Sequence, residues 1–257
     1  MGRMLRHSLS WIVLAPLMVS CAGLGAKIDL GYMQVEPSGS LALESGSGGG
    51  GPSVSSNNDI NDDLGVATKL DSLYARVELD AGLLHFTGSG YRVKDQASGT
   101  LRADFGSIPA NTAVRTDLDL QIYKVAATLD LIDIGPVRIS PGLAADIVLS
   151  NTSIAGASVA EDLDGTIPVP MLFVQGEVDF SILEMVVDLG WLDGNYGNYS
   201  GNVLDAEAML RVKPLAMLQV FVGYRATLLD ISRDENGDSD RIDLDFRGWT
   251  AGVGVQF

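Results

Sequence analysis

From Lys27 to Phe257 the dominant hydrophobic period is two residues, which confines the chain to strands with one apolar face. The C-terminus shows it most cleanly. Trp249, Ala251, Val253, Val255 and Phe257 share one face, while Gly248, Thr250, Gly252, Gly254 and Gln256 share the other. The same alternation recurs over residues 72–79, 137–149, 172–180, 202–212 and 217–228. Most of these segments carry charge among the residues opposite the apolar ones. Soluble amphipathic strands supply one or two such segments. Six or more of this length predict an all-β fold, an antiparallel up-and-down transmembrane barrel with its apolar face toward lipid.

Turn residues punctuate the pattern unevenly. Short turns fall near Asp80-Ala81, Asp133–Pro136, Ser181-Ile182 and Lys213-Pro214; polar loops fall at about 45–64, 95–112, 151–166, 192–201 and 231–240. The spacing predicts ten strands, at 27–44, 65–80, 82–94, 113–131, 136–151, 166–181, 183–192, 201–213, 215–230 and 241–257. Eight or twelve stay open as alternatives. An even count puts both ends of the barrel on the short-turn side. One stretch breaks step: Leu118, Leu120 and Ile122 have the opposite parity from Tyr123, Val125, Ala127 and Leu129, which predicts a β-bulge or loop extension near Ile122.

The first residues are of another kind. Arg3, Arg6 and His7 precede an apolar run, Leu9–Val19, and a small-residue exit at Ser20–Gly23. The run is shorter than the ~20 residues a membrane helix needs, so residues 1–21 are expected to be an export signal and 27–257 the barrel. The chain has one cysteine, Cys21, so no intramolecular disulfide is available. Met18-Val19-Ser20-Cys21 resembles the bacterial lipobox, with methionine where leucine is usual; that resemblance implies acylation of Cys21. Cleavage after Ala22 or Ala26 is the competing reading. Loss of Arg3 and Arg6 moves the formal charge from −16 to −18, and so acidic a surface disfavours nucleic acid as a partner.

The last eight residues, Thr250-Ala-Gly252-Val-Gly-Val255-Gln-Phe257, resemble the C-terminal assembly signal of bacterial outer-membrane β-barrel proteins. The resemblance in layout covers 27–257. It implies a bacterial outer-membrane location, lipid as the surrounding partner, and the barrel-assembly machinery as the reader of Thr250, Gly252, Val255 and Phe257. It brings no activity with it.

Period and parity place Arg76, Glu78, Lys124, Asp130, Arg138, Asp146, Glu177, Asp179, Asp188, Asp205, Glu207, Arg211 and Arg225 on inward faces. Charges sheltered this way must pair or stay hydrated. A barrel of ~8–10 strands is narrow enough for side chains to fill it, so a salt-bridged plug is expected ahead of a small-solute channel. His85, with Thr87 on its face and Glu78 on the neighbouring strand, is the candidate base of a lipid-modifying hydrolase; an interior histidine without catalytic role is the simpler reading. A third reading is a periplasmic barrel tethered through acylated Cys21. No cofactor is expected, with one reservation. Asp234, Asn236, Asp238 and Asp240 place oxygen ligands at alternating positions as calcium loops do, yet Ser239 stands where such loops want glycine. A solvated acidic turn is the competing account. The run Gly48–Gly51 is a flexible loop without the helix and lysine of a phosphate cradle.

Overall fold

The computed structural model describes residues 24–43, 57–196, 199–235 and 238–257. The expected export signal, Cys21 and the tetraglycine run lie outside them. Ten long strands form the wall: β1 (Leu24–Leu43), β3 (Leu70–Ala81), β4 (Leu84–Thr100), β5 (Ala113–Leu129), β7 (Val137–Ala155), β8 (Ala160–Asp179), β9 (Leu183–Tyr196), β10 (Tyr199–Leu215), β11 (Leu218–Glu235) and β12 (Asp238–Gln256). Two short ones, β2 (Asn58–Asp59) and β6 (Ile132–Ile134), pair with β1 and β7. Each long strand pairs antiparallel with its sequence neighbour, and β1 closes the sheet on β12 from Lys27↔Gln256 to Leu43↔Asp240. Closure leaves no free edge on either terminal strand. Among the described residues no helix is long and apolar enough to cross a membrane.

The short connections cluster at the end holding Leu24 and Phe257, where the Ala26 amide donates to the Phe257 carbonyl oxygen at 3.3 Å. Gly82 and Gly135 have φ of +69° and +62°, as tight hairpin turns with the twist of the strands require. The expected turn at Lys213-Pro214 lies three residues further on, at Ala216-Met217; Lys213 and Pro214 stay in β10, where the ladder slips between Val212 and Leu215. At the other end the strands outrun expectation. Residues 95–100, 151–155 and 231–235, expected in loops, prolong β4, β7 and β11.

The predicted bulge near Ile122 is absent. The β4–β5 ladder runs in one register from Leu84↔Leu129 to Thr100↔Ala113. What changes is polarity. Towards the short-turn end, β5 turns Lys124, Ala126 and Thr128 inward and Tyr123, Val125 and Leu129 outward; towards the loop end, Leu118, Leu120 and Ile122 face inward and Asp117, Asp119 and Gln121 outward. β1 and β12 invert in the same way. Asp29 gives way to Met33 and Val35 inside, and Val253, Ala251 and Trp249 give way to Arg247, Asp245 and Asp243 outside. Tyr32, Tyr123, Trp191, Tyr224 and Trp249 mark the change on the outer wall, each more than a third exposed. Such a girdle is where aromatic side chains meet a membrane–water boundary.

Above the girdle the barrel is filled with apolar side chains. Residues 57–66 fold inward between the strands, burying Ile60, Leu64 and Val66, and the β4–β5 connection adds Leu101, Phe105 and Ile108. Asn58 ties the two segments together: its Oδ1 accepts from the Arg102 and Ala103 amides at 3.0 Å each. The Thr116 hydroxyl donates to the Leu64 carbonyl at 3.0 Å. A cavity of about 20 Å³ lies inside this cork among Leu41, Ile60, Leu64, Leu118 and Phe246, room for one water at most.

Candidate functional site: the charged lumen

Below the cork the interior is polar, and its side chains come from nearly every strand. The deck nearest the short turns centres on Arg211 of β10. Its guanidinium donates to Asp29 Oδ2 at 2.7 Å, to Glu78 Oε1 at 2.7 Å and Oε2 at 3.0 Å, and to Glu184 Oε1 at 2.5 Å. Lys27 Nζ reaches Glu184 Oε1 at 2.8 Å, and Gln219 Nε2 reaches Asp29 Oδ1 at 2.6 Å. A planar fork with five N–H donors suits three carboxylates at once.

The deck above it holds two more buried arginines. Arg76 donates from Nε to Glu78 at 2.6 Å and from Nη1 to Asp188 at 2.6 Å and Glu207 at 3.1 Å. The Tyr74 hydroxyl donates to the same Glu207. Arg225 grips Asp205 with two bonds of 3.2 and 3.1 Å, donates to Ser89 Oγ at 2.9 Å, and lies 5.1 Å from the Tyr91 ring centre. Lys124 Nζ stands 2.7 Å from Asp205. The three arginines are about 0–1 % exposed. Charges this deep persist only with excellent partners, and the ladder supplies them: on a ten-strand circle, inward residues of facing strands meet across the lumen.

The interior positions expected from the sequence divide into two groups. Arg76, Glu78, Lys124, Asp146, Glu177, Asp188, Asp205, Glu207, Arg211 and Arg225 lie buried in the lumen. Asp130, Arg138 and Asp179 sit at the short-turn rim instead. Asp179 has a side chain 41 % exposed and pairs with Lys213 at 2.9 Å; it ends β8, so parity carries it to the mouth and no further. Arg138 pairs with Glu177. Gln219 faces inward as the alternation over 217–228 implies, whereas Lys27, Asp29 and Glu184 were not anticipated. Lys27 and Asp29 alternate with Ile28 and Leu30, and Glu184 with Met185, so parity carried the signal; short apolar runs at the strand starts hid it.

His85 is 4 % exposed at the same rim. Its Nδ1 meets Asp80, and its Nε2 meets Asp130 Oδ2 at 2.7 Å. The Ser140 hydroxyl donates to Asp130 Oδ1 at 2.6 Å, not to the imidazole. Thr87 accepts from Gln175 at 3.4 Å, and Glu78 is spent on Arg76 and Arg211. A base needs one ring nitrogen free to face a nucleophile. Here both are occupied by carboxylates, an arrangement that staples β3, β4 and the β5 end together.

Of the assembly-signal positions, Thr250 is buried and Gly252 faces inward where any Cβ would stand 2.8 Å from the Phe221 ring. Val255 points outward, and Phe257 is exposed at the short-turn end. The candidate calcium residues lie on a hairpin: Asp234 pairs with Ser239 and Glu235 with Asp238 in the backbone ladder, and Asp240 pairs with Arg233. Asn236 is outside the described residues.

A closed, even-stranded antiparallel barrel with an apolar outer band, an aromatic girdle and a charged interior defines the outer-membrane β-barrel class, and this chain has that fold. No protein-family model matches the sequence, and no curated protein matches it. Solved structures do resemble it in fold. The outer membrane protease OmpT from Escherichia coli aligns with a TM-score of 0.55 at 11 % identity, covering 92 % of this chain and 97 % of OmpT. Ail, the attachment invasion locus protein of Yersinia pestis, aligns at 0.37 and 11 %, covering 91 % and 98 %. The outer membrane protein AlkL aligns at 0.34 and 13 %, covering 91 % and 90 %.

Proposed function

We propose that the protein is an integral barrel of the bacterial outer membrane whose lumen is sealed, so that it serves as a membrane-anchored scaffold presenting its loop end outside the cell and not as a solute channel. The observation that carries this reading is the pair of buried charge decks, Arg211 with Asp29, Glu78 and Glu184, and Arg225 with Asp205, lying under an apolar cork of Ile60, Leu64, Val66, Leu101, Phe105 and Ile108. An ion crossing would have to displace both, and separating one buried pair costs about 3–5 kcal/mol. Its insertion would use the C-terminal strand that closes on β1, read by the assembly machinery at Thr250, Gly252, Val255 and Phe257. The test is single-channel recording of the folded protein in planar bilayers. The expected trace is flat under applied voltage; regular unitary steps would overturn the sealed-lumen reading.

A further inference from the structure

Two seams of the ten-strand wall stop short of the loop end. The β3–β4 ladder ends at Tyr74↔Tyr91, and residues 57–69 fill the space above it: the Ala67 amide donates to Asp95 Oδ2 at 2.8 Å. The β8–β9 ladder ends at Leu172↔Trp191, and among the described residues no other strand pairs with β8 or β9 along this seam above it. There β8 runs on to Ala160, paired only with β7, and β9 runs on to Tyr196, paired only with β10.

The sequence explains the split. Pro168 and Pro170 sit in β8 opposite Ile147 and Ala145 of β7. Residues two apart send their backbone polar groups to the same side, and a proline survives in a sheet where its nitrogen faces an edge. Both ring nitrogens must therefore face β9, so this edge offers carbonyl acceptors at 168 and 170 and no N–H between them. The charged side chains flanking the notch on the outer wall are all negative: Asp162 and Asp164 from β8 and Asp193 from β9 are exposed there. No Lys, Arg or His occurs between Arg138 and Arg211. Elsewhere on the upper wall several acids have cationic partners, as in Arg92–Asp119, Arg247–Asp245 and Lys69–Glu36.

We infer that the notch above Leu172 and Trp191 is a docking site for an extended, basic segment of a partner protein, which adds along the free edge of β9 and sets its cationic side chains against Asp162, Asp164 and Asp193. Strand addition supplies main-chain hydrogen bonds, and side chains at alternate positions supply selectivity. The same chemistry disfavours the other occupants. A second copy would bring an equally acidic, donor-poor edge, and a phosphorylated lipid headgroup would meet like charge.

The test uses the whole folded barrel in lipid nanodiscs and two fluorescent ten-residue peptides, alternating Lys-Val and alternating Glu-Val. The Lys-Val peptide should bind saturably and slow amide exchange at residues 192–196; the Glu-Val peptide should not bind. The triple variant Asp162→Asn, Asp164→Asn, Asp193→Asn should weaken binding by about tenfold or more, while Asp71→Asn with Asp243→Asn, on β3 and β12 across the barrel, should leave it unchanged. Pro168→Val with Pro170→Val restores two donors and lets β9 zip onto β8, so it should abolish binding with every acid still in place. Equal weakening in the opposite-wall variant, unchanged exchange at 192–196, or full binding by the zipped variant would each overturn the inference. Protection of 192–196 by self-association or by lipid alone would do the same.

Discussion

The two halves of β5 obey the same period and opposite rules. Between Tyr123 and Leu129 the outer face is apolar and the inner face carries Lys124 and Thr128; between Asp117 and Ile122 the outer face is acidic or amide and the inner face is Leu118, Leu120 and Ile122. The strand does not change. Its solvent does. Lipid outside allows a charged interior provided every charge is paired, whereas water outside calls for an apolar interior like that of any soluble protein. The molecule is a membrane barrel with a water-soluble barrel stacked on it, and the girdle of Tyr32, Tyr123, Trp191, Tyr224 and Trp249 marks the joint.

This contrast is easiest to break in the lower half. Arg211→Ala strands Asp29, Glu78 and Glu184 together, and urea unfolding of the barrel in lipid should show a loss of about 3–5 kcal/mol. In the upper half, Leu64→Ala should cost about 2–5 kcal/mol by opening a cavity in the cork. It should leave planar-bilayer recordings flat, because the charge decks beneath remain. A unitary conductance in that variant would show the cork to be the only barrier.

The outer wall gives a paired test on one strand. Val125→Arg should destabilise by about 2–4 kcal/mol, as a cation facing lipid does. Asp117→Arg, eight residues away on the same face, should stay within about 0.5 kcal/mol, as most exposed substitutions do. Similar costs at the two sites would erase the boundary between the halves.

A smaller effect separates two buried acids of the upper deck. Arg76, Lys124 and Arg225 face four carboxylates there, Asp146, Asp188, Asp205 and Glu207, and both oxygens of Asp146 lack a hydrogen-bond partner. Asp146→Asn should therefore be neutral or stabilising in the same unfolding assay. Asp205→Asn should be strongly destabilising, since it leaves Arg225 and Lys124 without their main partner.

The smallest effect lies above the girdle. A hydrogen bond from Arg92 holds the Asp119 carboxyl below its usual range. A depressed carboxyl stabilises the fold above its unfolded value and loses that contribution as the pH falls through its folded value. Arg92→Ala should flatten that small acid-side slope, and 1 M salt should flatten it in the intact protein too.

The strand count and the inward set from Arg76 to Arg225 were legible because parity is a local property. Each strand announces which residues share a face, and ten such strands leave few ways to close. Which face turns inward was not legible along a whole strand. The parity reversal at Ile122 suggests a bulge if one side is taken to be lipid throughout; the ladder shows it to be the level at which lipid ends. Residues 57–66 were hidden for a related reason. Ile60, Leu64 and Val66 stand among Asn, Asp and Gly, a loop composition, and their burial depends on Asn58 bridging to 102–103, a contact made 44 and 45 residues away. The rim showed the same limit. His85 invited a catalytic reading because only one of its partners is near: Asp80 lies five residues away across the hairpin, but Asp130 lies 45 residues away.

Depth along the outer face of β5 tests the stacked-barrel account most directly. In a Cys21→Ser background, a single cysteine placed in turn at 117, 119, 121, 125, 127 and 129 would carry a fluorophore, and quenching by lipids brominated on their acyl chains would be measured in vesicles. The account predicts strong quenching at 125, 127 and 129 and almost none at 117 and 119, with the change falling at Tyr123. Quenching of equal strength along the whole strand, or confined to its upper half, would contradict it.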